Sequence, residues 1–468
     1  MTDALWTSEA IAAATGGAAS AAFEAHGVTF DSREVGPGDL FIALTGEATD
    51  GHRFLAQAFE RGAAGAIVSA DSGHPQVRVS DTMAALEALA VASRERTAAR
   101  IIGVTGSVGK TSTKEALFAA LDRPDPGSAH RSVKSYNNHT GVPLSLARMP
   151  AGSKYGVLEM GMNHAGELAH LTTLVRPHVA LVTAIAPAHT AFFPDESAIA
   201  DAKGEIFAGL EPGGVAIVPF DSPHRDRLIA AARPHASEIV TFGLQAGADV
   251  RAIESMRLVT GATFVTARLG ERELSFTMAQ PGMHWVSNAL AVLAAVDAVG
   301  GDLGMAGLAL AEMGGLQGRG ARFMAPVGGG EALVIDESYN ANPASMRATL
   351  AVLGAEDATR KIAVLGEMRE LGDASGAYHA ALAEPIAAAG VSQVVLVGGE
   401  MLHLAEALEG RVQFVHVADA ATAGKRLAEI LAPGDAVLIK GSNGVGLSTL
   451  VARLKTPATG NGTASCSM

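Results

Sequence analysis

Residues 103–112 read GVTGSVGKTS, and they carry the clearest chemistry in the chain. Lys110 can neutralise terminal phosphates, and Thr111 can offer a hydroxyl to Mg²⁺. Two glycines, Gly106 and Gly109, let backbone N–H groups approach phosphate oxygens closely. The expected phosphate-binding set is Gly106, Ser107, Gly109, Lys110, Thr111 and Ser112. The longer form of this loop has a further glycine five residues before Gly109, where Val104 stands; what remains is G-x-x-G-K-T. The plain alternative is a glycine-rich turn with an unrelated lysine.

Further along, Glu159 closes the apolar run 156–158. A carboxylate at a strand end downstream of a phosphate loop suits Mg²⁺, although a helix-capping glutamate has the same look. His189 follows the strand 179–183 and reads either as a ligand or as a structural histidine. Lys203 sits in the helical run 199–207, near the two metal-ligand candidates, and it either faces solvent or is chemically altered. The polar stretch 135–143 holds Asn137 and Asn138, which can order a phosphate or a peptide carboxylate, or simply make a turn. Ser32 and Arg33 stand beside another turn. An arginine there can hold a phosphate or carboxylate, or make a surface salt bridge.

These residues need elements to hold them. The run Ile101 to Val104 reads as a buried strand, and Lys114 to Leu121 as the helix after the loop. The strand, turn and helix N-terminus together make an anion cradle. The runs 157–159, 179–183 and 215–218 read as parallel strands beside it, and residues 250–278 alternate like an antiparallel insertion. The whole is predicted as α/β in three domains. Residues 1–98 form a small α/β domain, and 99–315 a central phosphate-loop domain with a doubly wound parallel sheet. Residues 316–456 form a Rossmann-like domain with strands at 333–336, 361–365, 393–397 and 436–440, and 457–468 are a disordered tail.

Composition narrows the classes. The chain has 468 residues, 48 acidic against 35 basic, which argues against a nucleic-acid binder. Any anionic substrate must then meet local positive charge. Its one cysteine, Cys466, forbids an internal disulfide and fits a reducing cytoplasm. No secretory signal is visible, and the apolar runs are too short for a membrane span.

Taken together, the motifs resemble those of the Mur ligases, the ATP-dependent amide-bond-forming enzymes of peptidoglycan precursor synthesis, over about residues 25–455. Four stretches carry the likeness: GSVGKT at 106–111, EMGMNHAGE at 159–167, the pair 188–190 with KGEIF at 203–207, and DESYNANP at 336–343. The last is similar to the signature of the member that adds D-alanyl-D-alanine to UDP-N-acetylmuramoyl-tripeptide. The resemblance implies that reaction, through an acyl phosphate and a tetrahedral intermediate, with release of ADP and phosphate.

The resemblance also assigns roles. Lys110 and Thr111 would meet ATP and Mg²⁺; Glu159, His189 and a carbamylated Lys203 would serve two Mg²⁺ ions; and Asn138 would lie near the reacting groups. His284 and Asn288 would meet the nucleotide, with Trp285 standing where many relatives have asparagine. Arg319, Asp336, Tyr339, Asn340 and Asn342 would close the ATP site from the third domain. Ser32, Arg33, Asp50 and Asn137 would serve the uridine-nucleotide substrate. A monomer in the cytoplasm is expected. The alternatives are another Mur ligase, a folylpolyglutamate synthase-like ligase, a regulatory GTPase or a UDP-sugar sensor. No N-K-x-D stretch supports the GTPase.

Overall fold

A computed structural model describes residues 4–46, 49–188 and 190–455. The predicted tail at 457–468, with Cys466, and the predicted ligand His189 lie outside the described residues.

The strand Arg100–Thr105 shows why the centre folds as it does. Ile102 and Val104 point into one core, and Ile101 points into another. Its neighbours behave alike: Val179 and Leu181 face the first core, Ala180 and Val182 the second. A strand buried on both faces must be apolar throughout, which is the pattern of a covered parallel sheet. Each such aliphatic side chain contributes about 1.5–3 kcal/mol by leaving water.

The central sheet has nine strands, in the order 272–278, 263–269, 250–257, 238–243, 215–219, 179–182, 100–105, 155–159, 129–131. Pairing is parallel from Val250–Arg257 to Ala129–Arg131. The strands Thr263–Leu269 and Arg272–Met278 extend that edge antiparallel. The predicted insertion is thus part of the main sheet, with strict alternation of burial along Thr263–Leu269. Helices Lys110–Asp122, Met283–Ala298 and Leu303–Glu312 cover one face, and Glu167–Val175 packs on the other.

On the N-terminal side lies a five-stranded sheet, in the order 18–19, 76–78, 65–68, 39–42, 27–29. Its core is shared with the central domain. Leu86 and Leu89 of helix Thr82–Glu95 cluster with Leu144 and Ala147 of helix Gly141–Ala147. Trp6 Nε1 also donates to Ala147 O at 2.8 Å.

The C-terminal sheet has six strands, in the order 321–327, 330–337, 436–440, 361–366, 393–397, 413–417. All pairs are parallel except the first, a hairpin turned at Gly328 and Gly329, both with positive φ. Several contacts among the described residues cross from the central domain to this one. Arg257 at the end of strand Val250–Arg257 pairs with Glu356 at 2.9 Å, and Glu356 is also held at 2.7 Å by Arg322 of the C-terminal domain. Ala191 N donates to Glu370 O at 3.0 Å, and Thr190 Oγ1 to Leu371 O at 3.0 Å. No described helix is long and apolar enough to cross a membrane.

Candidate active site

The loop 106–109 lies at the carboxyl end of strand Arg100–Thr105, where its neighbours connect in opposite directions. Ligands bind at such a switch point in open α/β sheets. The loop has no spare room. A Cβ on Gly106 would meet Thr183 Oγ1 at 1.9 Å, and one on Gly109 (φ +88°) would meet Asn288 Oδ1 at 2.9 Å. Thr183 Oγ1 donates to Val108 O at 2.5 Å, Ser107 N to Ala184 O at 2.8 Å, and Ala186 N to Ser107 Oγ at 3.1 Å. The helix begins at Lys110, earlier than the sequence suggested, because the polar run Lys110 to Thr113 forms its first turn. Its free N–H groups therefore end at the loop.

Lys110 Nζ donates to Gly106 O at 2.6 Å. Loss of water lowers its pKa; Glu159 opposes the shift and Arg319 adds to it. Thr111 Oγ1 donates to Glu159 Oε2 at 2.9 Å, and Asn137 Nδ2 to Glu159 Oε1 at 2.8 Å. Glu159 is 1% exposed. Hydroxyl and carboxylate thus lie together beside the phosphate loop. This hard-oxygen pair suits Mg²⁺, which takes one or two protein oxygens and completes its shell with water and phosphate. Among the described residues no cluster of three or more His, Cys, Asp or Glu could hold a metal.

Lys203 lies in the last turn of helix Glu196–Gly204. It is fully buried, so the solvent-facing alternative fails. Its Nζ has no hydrogen-bond partner among the described residues. Burial holds its pKa well below the ordinary lysine value, and Lys110 lowers it further. An unpaired ammonium here is costly. A neutral amine is the form that adds CO₂, so the site fits a carbamate.

The loop opens on a cavity of about 480 Å³. From the central domain it is lined by Ser107, Gly109, Lys110, Thr111, Ser112, Asn137, Glu159, His284 and Asn288. From the C-terminal domain come Arg319, Glu337, Tyr339, Asn340, Asn342 and Lys440. His284 is pushed down to about 4 by burial and then by Lys440, so it is neutral near pH 7. The Arg319 guanidinium lies 4.2 Å from the centre of the Tyr339 ring. Asn342 caps helix Pro343–Gly354 through a reciprocal pair with Ser345, which fixes the turn that presents Tyr339 and Asn340.

Two expected site residues act from behind. Asp336, 1% exposed, accepts from Gly318 N at 2.8 Å and Ser338 Oγ at 2.6 Å, so it shapes the turns bearing Arg319 and Tyr339. Asn138 Oδ1 accepts from Gly141 N at 2.9 Å and Thr140 Oγ1 at 3.0 Å. The side chain that reaches Glu159 is its neighbour Asn137. Ser32, Arg33 and Asp50 stay outside this cavity, in the N-terminal domain. Ser32 Oγ donates to Gln57 at 2.7 Å, and exposed Arg33 forks onto Asp31 at 2.9 and 2.7 Å. Asp50 caps the turn Gly51–Phe54 and meets His52 Nδ1 at 2.7 Å.

Sequence reading missed Glu337 and Lys440. They face each other at 3.6 Å, and Lys440 Nζ donates to Asn340 O at 2.9 Å. Burial lowers the lysine and raises the carboxyl. The signal was available: Lys440 is a charge closing the apolar run 436–439.

Comparisons with known proteins agree along the chain. Three family models match: "Mur ligase family, catalytic domain" at 24–97, "Mur ligase middle domain" at 104–296, and "Mur ligase, glutamate ligase domain" at 322–443. The chain is 35% identical over 433 residues to the UDP-N-acetylmuramoyl-tripeptide–D-alanyl-D-alanine ligase of Escherichia coli K12, covering 92% of this chain and 93% of the relative. It superposes on the crystal structure of MurF from Acinetobacter baumannii with TM-score 0.83 at 33% identity, covering 96% of this chain and 98% of that one. MurF ligase from Thermotoga maritima in complex with ADP gives TM-score 0.76 at 26% identity, covering 92% and 96%.

Proposed function

The chain belongs to the Mur ligase family, and from that premise we propose that it joins D-alanyl-D-alanine to UDP-N-acetylmuramoyl-tripeptide at the cost of ATP. The supporting observation is the single cavity on which the phosphate loop, the Thr111–Glu159 pair and the third-domain set Arg319, Tyr339 and Asn340 converge.

A carboxylate is a poor electrophile. Transfer of the γ-phosphoryl group to a carboxylate oxygen of the tripeptide breaks the bond to ADP and gives an acyl phosphate. The dipeptide amine then attacks the acyl carbon, a tetrahedral intermediate forms, and phosphate leaves as the amine loses a proton. Lys110 and the loop N–H groups hold the phosphates, and Arg319 adds positive charge from the other side. Neutral His284 and Asn288 border the nucleotide. Thr111 and Glu159 would hold Mg²⁺, which offsets repulsion between phosphate and carboxylate. A second ion would draw on His189 and a carbamylated Lys203; there the neutral amine nitrogen would bond to CO₂ with loss of one proton, leaving a carbamate anion. Ser32 and Arg33 would meet the uridine nucleotide at the N-terminal domain. We place the domain boundaries at 98 and 315, and the enzyme in the cytoplasm as a monomer.

The test is phosphate release from ATP and Mg²⁺ with UDP-MurNAc-tripeptide, with and without D-Ala-D-Ala. Release that requires both, with a product heavier by the dipeptide, is the expected result. Release with UDP-MurNAc-dipeptide and a diamino acid instead would keep the ligase and replace the substrate.

A further inference from the structure

Another buried lysine lies one helical turn beyond Lys110. Lys114 is 0% exposed and does not border the cavity. Its ammonium has three protons to place. Nζ donates to Ser132 O at 3.3 Å and to Lys134 O, and it pairs with Glu115 Oε1 at 2.9 Å. Glu159 Oε2 lies 3.9 Å away. Glu115 is itself held by Arg131 Nε at 2.9 Å. The two carbonyl contacts therefore tie one segment, 132–137, to the phosphate helix.

That segment reaches in two directions. Toward the cavity, Ser132 Oγ accepts from Glu159 N at 2.8 Å, and Asn137 Nδ2 donates to Glu159 Oε1 at 2.8 Å. Gly161 N also donates to Asn137 O at 2.7 Å. Toward the N-terminal domain, Lys134 Nζ pairs with Glu34, and the Tyr136 ring lies 5.8 Å from that of Phe30. Lys134 links the two directions. Its φ of +50° is a conformation that L-residues avoid. In it, the carbonyl meets Lys114 while the side chain meets Glu34.

We propose that Lys114 is a positioning residue that couples the two substrate sites. By capturing the Lys134 carbonyl it keeps segment 132–137 in the one conformation that joins Glu159 to the domain expected to hold the uridine nucleotide. The inference rests on the ligase reading for its kinetic consequence, but the clamp itself can be measured without turnover.

The experiment pairs Lys114→Met with two changes at Lys134. Both Lys134→Gly and Lys134→Val lose the Glu34 pair; only valine resists the left-handed conformation. Lys114→Met and Lys134→Val are expected to raise KM for the uridine-nucleotide substrate about tenfold or more, while the ADP dissociation constant stays within about threefold. Lys134→Gly should stay within about threefold of wild type in both. A purely structural lysine would lower Tm without this split between substrates. Hydrogen exchange reads the clamp directly: in Lys114→Met the amides of Tyr136 and Gly161 should exchange faster, with strand Gln393–Val397 unchanged. Equal effects of valine and glycine at 134, or unaltered exchange at 136 and 161, would overturn the proposal. If Lys114→Met does not fold, the valine–glycine comparison decides alone. Wild-type protein without ligase turnover would sink the ligase reading, and the exchange experiment would still judge the clamp.

Discussion

The two halves of the cavity hold their ligand-facing groups by different means. On the central side the groups are fixed by lack of space: Gly106 and Gly109 admit no Cβ, and Glu159 is fully enclosed by Thr111 and Asn137. On the C-terminal side Tyr339 and Asn340 are exposed, and Arg319 rests on the Tyr339 ring. They stand on turns tied by Asp336 and by the Asn342 cap. The central half is shaped before a ligand arrives. The other half carries its groups on turns, and their placement depends on the bonds beneath them.

The sharpest way to break this contrast is Lys110→Ala. It should cost about 10³-fold or more in kcat, because it removes the charge proposed to face the transferred phosphoryl group. Uridine-nucleotide binding, measured by calorimetry, should stay near wild type; equal loss of both would overturn the proposal that the two sites lie in different domains. Next comes Lys203→Ala, expected to lose about 10²-fold, with partial recovery on adding short-chain carboxylates. Full activity without added carboxylate would remove the carbamate from the mechanism. The smallest effect belongs to the C-terminal half. Asn342→Ala deletes the capping box and should lower stability by about 1 kcal/mol in denaturant titration. A change of that size with unaltered ADP affinity would show that the turn is held by more than its cap.

How much could be read beforehand followed the same division. The phosphate loop was legible because its residue types are tied to one backbone geometry. The buried runs at 101–104, 179–182 and 436–439 were legible because a doubly covered strand is apolar at every position. The short strands Ala129–Arg131 and Gln413–Val417 escaped, because each carries a charge or a histidine within a few residues at a sheet edge. Only the resemblance gave Asn137 and Asn138 different roles, since the spacing of adjacent loop residues does not say which side chain reaches Glu159. In the sequence, Lys114 marks only the start of the helix after the loop. Only the packing of segment 132–137 over it shows why that position is charged.

The Arg257–Glu356–Arg322 triad has a consequence for how the C-terminal domain can part from the central one. Glu356 is 8% exposed, a depth at which a carboxylate left alone is heavily penalised. Yet its second partner, Arg322, travels with it on the same domain. Separation therefore releases Arg257, a third exposed, and leaves no orphaned charge behind. The contact acts as a detent: it gives a preferred stop, and its release strands no buried charge.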